Sequence, residues 1–343
     1  MATALLTSCR STPPPRPKPI PPVSEQMKQR ATQLAKILAP CPLRAVFLDK
    51  ATVDLYEEVP KELLARLRFL GINRVCLDIT IAWLAEKKHA NRLAKLISTL
   101  QNAKIKISLL IDDSQFYRIH NLDWGDRNIR ITTPVSAISK TVNTIKRFNA
   151  ARDSALEQIN TIILLITPHR INSKMSRPPR GMLWSWNADG FGKNNDNDML
   201  MRQAFEIIKQ FKQEAAPLNL SLMIGPAYHE YAVKGKLSLG KVNDFLRLSK
   251  HLIMVAYSVN PNKVISKVQS ELAAAKKPRS VTVAVLVGRR IFGTHNEKLS
   301  FSTKKWSYFI QHMKKLVDSC AKHKAFNGIV FYSLGGLGKI LDR

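Results

Sequence analysis

The run ISLLIDDSQF, residues 107–116, decides how the chain is to be read. It is almost wholly apolar and then stops at two adjacent carboxylates, Asp112 and Asp113. A strand without a polar face belongs in a parallel sheet covered by helices, because only there are both faces buried. In a closed parallel barrel such a strand crosses a packed interior, and its C-terminal end opens at a mouth built from several strands. Charge after an apolar run is what that geometry expects.

The same unit recurs along the chain. Short runs rich in β-branched residues are LRAVFLD (43–49), INRVCLDI (72–79), KIKISLLID (104–112), NTIILLIT (160–167), LNLSLMIG (218–225), HLIMVAYS (251–258), SVTVAVLVG (280–288) and FNGIVFYSL (326–334). Between them lie segments with apolar positions three and four apart, the mark of amphipathic helices. These include KELLARLRFL (61–70), NRLAKLISTL (91–100), DMLMRQAFEIIKQFKQ (198–213), VNDFLRLSKHL (242–252), NKVISKVQSELAAAKK (262–277) and WSYFIQHMKKLVDSCAK (306–322). Eight strand–helix units predict an α/β fold, a single (β/α)8 TIM barrel over residues 24–343. The rival is a doubly wound sheet, but no GxGxxG follows the first strand to support dinucleotide binding of that kind.

With 343 residues and 45% hydrophobic content the chain has enough material for one large core. Its charge is lopsided: 54 Lys and Arg against 25 Asp and Glu give +29. That balance favours anionic partners such as acidic polysaccharide, nucleic acid or anionic headgroups. A solvated basic surface with no specific partner explains it equally well. Past the N-terminus no run approaches the ~18 apolar residues of a spanning helix. Residues 1–23 contain seven prolines between Pro13 and Pro22 and read as a disordered, extended tether.

The barrel order assigns the site. Asp49, Asp78, Asp112 and Asp113 end the first three strands, and Tyr228, His229 and Glu230 follow the fifth. His169 follows the fourth, Tyr257 lies on the sixth, Arg289 and Arg290 follow the seventh, and Tyr332 lies on the eighth. Asp78, Asp112, Glu230 and Asp49 are the catalytic candidates; Asp113, Tyr228, Tyr257, Tyr332 and Arg289 are candidates for substrate contact. For each acid the competing role is to cap the following helix or to pair with a neighbouring cation. The long loops after the third and fourth strands add Trp124, and Trp184, Trp186 and Phe191 among several Asn and Asp. Flat aromatic faces beside directional hydrogen-bonding groups suit a sugar ring. A loop packed on its own tryptophans has the same composition. Trp184 and Trp186 are the substrate-binding candidates there, with Arg177, Arg180 and Lys193 favouring an anionic glycan. His120, His251 and His312 fall at helix or loop positions and read as surface or structural.

Cys41, Cys76 and Cys320 have neither CxxC spacing nor histidine partners at zinc-site spacing, so neither a metal site nor a cofactor is expected. They read as buried thiols, with Cys41 and Cys320 able to pair in an oxidising compartment. The glycines of SLGGLGK (333–339) end the eighth strand and turn into a final helix.

Two resemblances add to this reading. LLTSC, ending at Cys9, resembles the lipobox of bacterial lipoproteins, which implies lipidation of Cys9, a membrane tether and a place in the bacterial cell envelope; the alternative is cytoplasmic. Only eight residues precede Cys9, so this expectation carries with it a start further upstream. In the second half, LIMVAYS resembles the Met-x-Tyr-Asp strand of the chitinase-like family-18 glycoside hydrolases. VTVAVLVGRR and FNGIVFYSLGG are similar to that family's seventh and closing strands. The resemblance covers residues 160–336 and implies a glycoside-hydrolase barrel. The family's Asp-x-x-Asp-x-Asp-x-Glu series on strand four has no counterpart in TIILLITPH, Ser258 stands for the strand-six Asp, and Tyr332 for a Trp. Only Tyr257 transfers by position, as a substrate hydrogen-bond donor.

Three classes of function follow. The first is a carbohydrate-active enzyme using acids other than the family-18 set, acting on an envelope or anionic polysaccharide. The second is a non-catalytic glycan- or polyanion-binding lipoprotein. The third, a nucleic-acid-binding protein, rests on charge alone, without any recognised binding motif.

Overall fold

The computed structural model describes residues 23–56, 58–116, 118–120, 130–132, 135–168, 195–225, 227–288, 290–291, 294–295 and 299–343. Eight parallel strands close into a barrel: β1 (Leu43–Asp49), β2 (Arg74–Asp78), β3 (Lys106–Asp112), β4 (Thr161–Ile166), β5 (Asn219–Ile224), β6 (Leu252–Met254), β7 (Val281–Leu286) and β8 (Phe326–Tyr332). Each pairs with its chain neighbours, and β8 closes on β1 through Leu43–Gly328 to Val46–Phe331. The predicted TIM barrel is the observed fold. β6 is the one short strand: the expected run 251–258 is in the ladder only at Leu252–Met254.

Side chains alternate across each strand. One set packs outward against the helices; the other fills the barrel with Ala45, Phe47, Cys76, Leu110, Ile163, Met223, Ile253, Ala284 and Val330. At the closing seam a Cβ on Gly328 would lie 1.8 Å from the Leu43 carbonyl oxygen, and its φ of +138° suits glycine alone. The register between β7 and β8 shifts there, between Phe326 and Gly328.

The helical layer comprises Pro60–Phe69, Lys87–Asn102, Val135–Ala150, Asn195–Glu214, Val242–Leu248, Pro261–Ala274, Trp306–Cys320 and the final Leu334–Asp342, with shorter helices at Lys50–Tyr56, Ala82–Ala85 and Ala227–Val233. A helix the strand count does not require, Glu25–Ile37, precedes β1 and packs on the first, penultimate and last of the long helices. Its Ser24 side chain accepts from the Met27 amide, and Met27, Ala31 and Leu34 form its buried face. Two small hairpins, Arg118–His120 with Arg130–Thr132 and Arg290–Ile291 with Thr294–His295, follow β3 and β7. Cys41, Cys76 and Cys320 are buried free thiols, and burial pushes all three up to about 12. Among the described residues no helix is long and apolar enough to cross a membrane, and no cluster of His, Cys, Asp and Glu is arranged to hold a metal ion.

Candidate active site

Position along β2 shows how the mouth is built. Arg74, Cys76 and Asp78 share the inward face, so one strand carries a cation at its start, a buried thiol at its middle and a carboxylate at its end. Asp49 is the register partner of Asp78 across β1 and β2. Asp112 ends β3, one strand further round, level with Leu165 of β4. The three acids expected from strand ends therefore occupy three consecutive strands at one end of the barrel.

Their environments differ. Asp78 is half-buried, and it accepts a hydrogen bond from the Tyr332 hydroxyl. Its pKa is raised, first by burial and then by the charges of Asp49 and Asp112; the Tyr332 bond opposes this without reversing it. A carboxyl with a raised pKa beside one that is exposed is a combination acid–base chemistry uses. Asp112 is the exposed member.

Asp49 has a second duty. Its Oδ1 accepts from the Thr52 amide at 2.9 Å and the Thr52 hydroxyl at 2.5 Å, so it caps the helix Lys50–Tyr56 while its charge acts on Asp78. The capping role foreseen for a strand-end acid is observed in this residue.

Tyr332, on β8, and Tyr257, just past the end of β6, both lie in the inner cluster and reach the barrel interior. Tyr332 also packs against Phe47, ring centroids 5.0 Å apart.

Other candidates lie elsewhere. Asp113 is fully buried, and its carboxylate accepts from the Thr167 amide and hydroxyl at 3.1 Å, tying the end of β4 to β3. One step along the chain separates an exposed acid at the mouth from a clamp beneath it. Tyr228 is fully buried in the outer layer and donates to the Ile166 carbonyl at 3.3 Å. His229 Nδ1 accepts from the Val242 amide at 3.2 Å, so it too braces the scaffold. Glu230 is exposed on the helix Ala227–Val233, paired with Lys234 at 2.5 Å, and its charge acts on Glu271 of an outer helix. Asp113, Tyr228 and Glu230 are thus engaged with Thr167, Ile166 and Lys234, whereas the charges that act on Asp78 are those of Asp49 and Asp112. The helical periodicity of 227–233 rotates Tyr228 and His229 inward against other elements and Glu230 outward. Cys9, Trp124, His169, Arg177, Arg180, Trp184, Trp186, Phe191, Lys193 and Arg289 lie outside the described residues, as does the side chain of Arg290.

One feature at this end had no sequence forecast. Trp83, on the short helix after β2, stacks on His89 at 4.4 Å, and the Lys50 ammonium sits 5.2 Å from its ring centre. The tryptophan is buried, so this stack fixes the segments that follow Asp49 and Asp78. Its signal was the lone aromatic in IAWLAEKKH, four residues past the end of the second apolar run.

No protein-family model and no curated protein matches the chain. Among solved structures it is similar to a GH18 chitinase from Pseudoalteromonas aurantia, with a TM-score of 0.50 and 11% identity, covering 87% of this chain and 97% of that one. A GH10 endoxylanase retrieved from a sugarcane soil metagenome is similar at a TM-score of 0.46 and 12% identity, over 88% of each chain. The virulence factor SghA from Agrobacterium tumefaciens follows at 0.46 and 10%, over 89% of this chain and 90% of that one. The likeness to the chitinase is one of fold, in keeping with the family-18 resemblance of β6 to β8. Chemistry has to be read from the site itself.

Proposed function

We propose that this barrel hydrolyses a glycosidic bond in a polysaccharide, with Asp78 as general acid and Asp112 as the second carboxyl of the pair. The observation that carries the reading is the divergence of two neighbouring inward strand ends: a half-buried carboxyl whose pKa is raised by burial and by two like charges, beside an exposed one. Glycoside cleavage asks for one protonated and one ionised carboxyl about 5–9 Å apart. Adjacent strands are ~4.8 Å apart, which is compatible with the requirement. The GH18 chitinase among the similar structures has a barrel of the same kind. The charge of +29 favours an anionic polysaccharide as substrate, and the lipobox-like Cys9 favours the bacterial envelope as its location.

The test is turnover on a panel of neutral and acidic envelope polysaccharides. Asp78→Asn and Asp112→Asn keep the size and capping ability of the parent residues but cannot exchange the proton. Each is expected to lose on the order of 10²-fold or more in kcat while folding like the parent. Full activity in both variants overturns the assignment. For location, Cys9→Ser is expected to release the protein from the membrane fraction when it is expressed from an upstream start.

The second reading, a barrel that binds glycan or another polyanion without cleaving it, draws on Asp113 and Asp49, two of the predicted acids, being engaged in Thr167 and Thr52 hydrogen bonds. Saturable glycan binding with no product under any condition would favour it.

A further inference from the structure

The opposite end of the barrel carries the opposite charge. A cavity of about 260 Å³ opens there between the N-terminal ends of the strands, lined by Arg74, Lys106, Asn219, Ser221, Lys250 and His251 among others, and by no carboxylate. A second, much smaller cavity shares Arg74, Ser221 and His251 with it and is lined further in by Cys76 and Thr282.

Arg74 and Lys106 are register partners on β2 and β3. Like charges directly opposite one another in a sheet repel, yet nothing acidic among the cavity's lining residues offsets them. Arg74 gives one guanidinium nitrogen to the Ser108 hydroxyl at 3.2 Å, while its Nε is sealed from solvent without a partner among the described residues. A buried donor left unsatisfied is costly. Lys250 leans on Asn219 at 2.8 Å, and Lys277 reaches the Lys250 carbonyl at 3.0 Å, which draws two more ammonium groups to the same rim. Burial first, and then the charges of Arg74, Lys277, Lys250 and Lys106, lower the His251 pKa to about 4.

We propose that this end of the barrel is a binding site for a phosphate group. A guanidinium fork beside an ammonium, with serine, threonine and asparagine side chains around them, is the donor set that recognises a tetrahedral dianion. The ligand is inorganic phosphate or the phosphate of a small ester; both present the same oxygens to the cavity. The site is separate from the three acids, at the far end of the same strands.

Calorimetric titration and thermal melting of the full chain in inorganic phosphate, against sodium chloride at equal ionic strength, test the proposal. The expected result is a saturable single site and a rise in Tm that chloride does not reproduce. Arg74→Met and Lys106→Met are expected to weaken binding tenfold or more, and Lys263→Met, on an outer helix, to leave it unchanged. Lys106 is exposed, so its variant keeps the test sharp if Arg74→Met fails to fold. Glycerol phosphate binding as tightly as inorganic phosphate would identify the ester as the ligand; binding of inorganic phosphate alone would identify the free anion. An equal response to chloride, or unchanged binding in Lys106→Met, overturns the proposal and leaves a general effect of the basic surface.

Discussion

The Tyr332 hydroxyl at the end of β8 donates to Oδ2 of Asp78 at the end of β2, across the intervening β1. A hydrogen bond to a carboxylate favours the ionised form, so this one restrains an acid that burial and neighbouring charge push the other way. In the proposed mechanism Asp78 must enter the reaction protonated. The alkaline limb of the pH–rate profile then reports its ionisation.

Tyr332→Phe removes the restraint, and the Asp78 pKa is expected to climb further. The alkaline limb should therefore move to higher pH, because a bond that favours the ionised carboxylate is gone. A limb that stays in place in the variant would show that another group titrates there.

Asp49→Asn acts in the opposite direction. It removes a like charge that raises the Asp78 pKa, while an asparagine at that position still caps the helix Lys50–Tyr56. The alkaline limb is expected to shift to lower pH with little change in Tm. A shift upward would contradict the electrostatic coupling of the two acids.

Asp113 belongs to the scaffold. Asp113→Ala leaves the Thr167 amide and hydroxyl without their partner in a buried setting, and a loss of about 3 kcal/mol in urea unfolding is expected. Asp113→Asn keeps an acceptor and should lose less. If the alanine variant unfolds at the parent's urea midpoint, the clamp between β3 and β4 contributes nothing.

The contrast between Asp112 and Asp113 marks how far the sequence could be read. Apolar runs ending in charge were enough to place strands and closure, because both-face burial is a property of composition. The direction of a side chain just past a strand end depends on where the ladder stops, and β3 stops at Asp112. The same limit applies to Tyr228, His229 and Glu230, whose fates follow from a short helix at Ala227–Val233. The helix Glu25–Ile37 was legible in the spacing of Met27, Ala31 and Leu34, but nothing in an eight-unit count calls for it. Arg74 was visible only as a charge at the start of an apolar run. Its place in a cavity with Lys106 and His251 depends on strands far apart in sequence.

Two buried groups away from the mouth give stability a pH dependence with two limbs. Glu271, almost fully buried and bonded to Ser270 at 2.9 Å, is raised from 4.5 to about 7, chiefly by burial. Its folded pKa lies above its unfolded one, so the folded state holds the proton more tightly and stability falls as pH rises from about 4.5 to 7. The full effect is about 3 kcal/mol, and Glu271→Gln should flatten the loss. His312 shows the reverse: burial lowers it from 6.5 to about 4, with its Nδ1 bonded to the Val259 carbonyl at 3.1 Å. Its folded pKa lies below its unfolded one, so its contribution is present above about 6.5 and is lost as pH falls toward 4. With partial solvent screening this amounts to about 2 kcal/mol, and His312→Gln should soften the acid limb alone. Chemical unfolding of the parent and both variants between pH 4 and 8 checks the pair. Parallel curves for all three proteins would show that neither group titrates with folding.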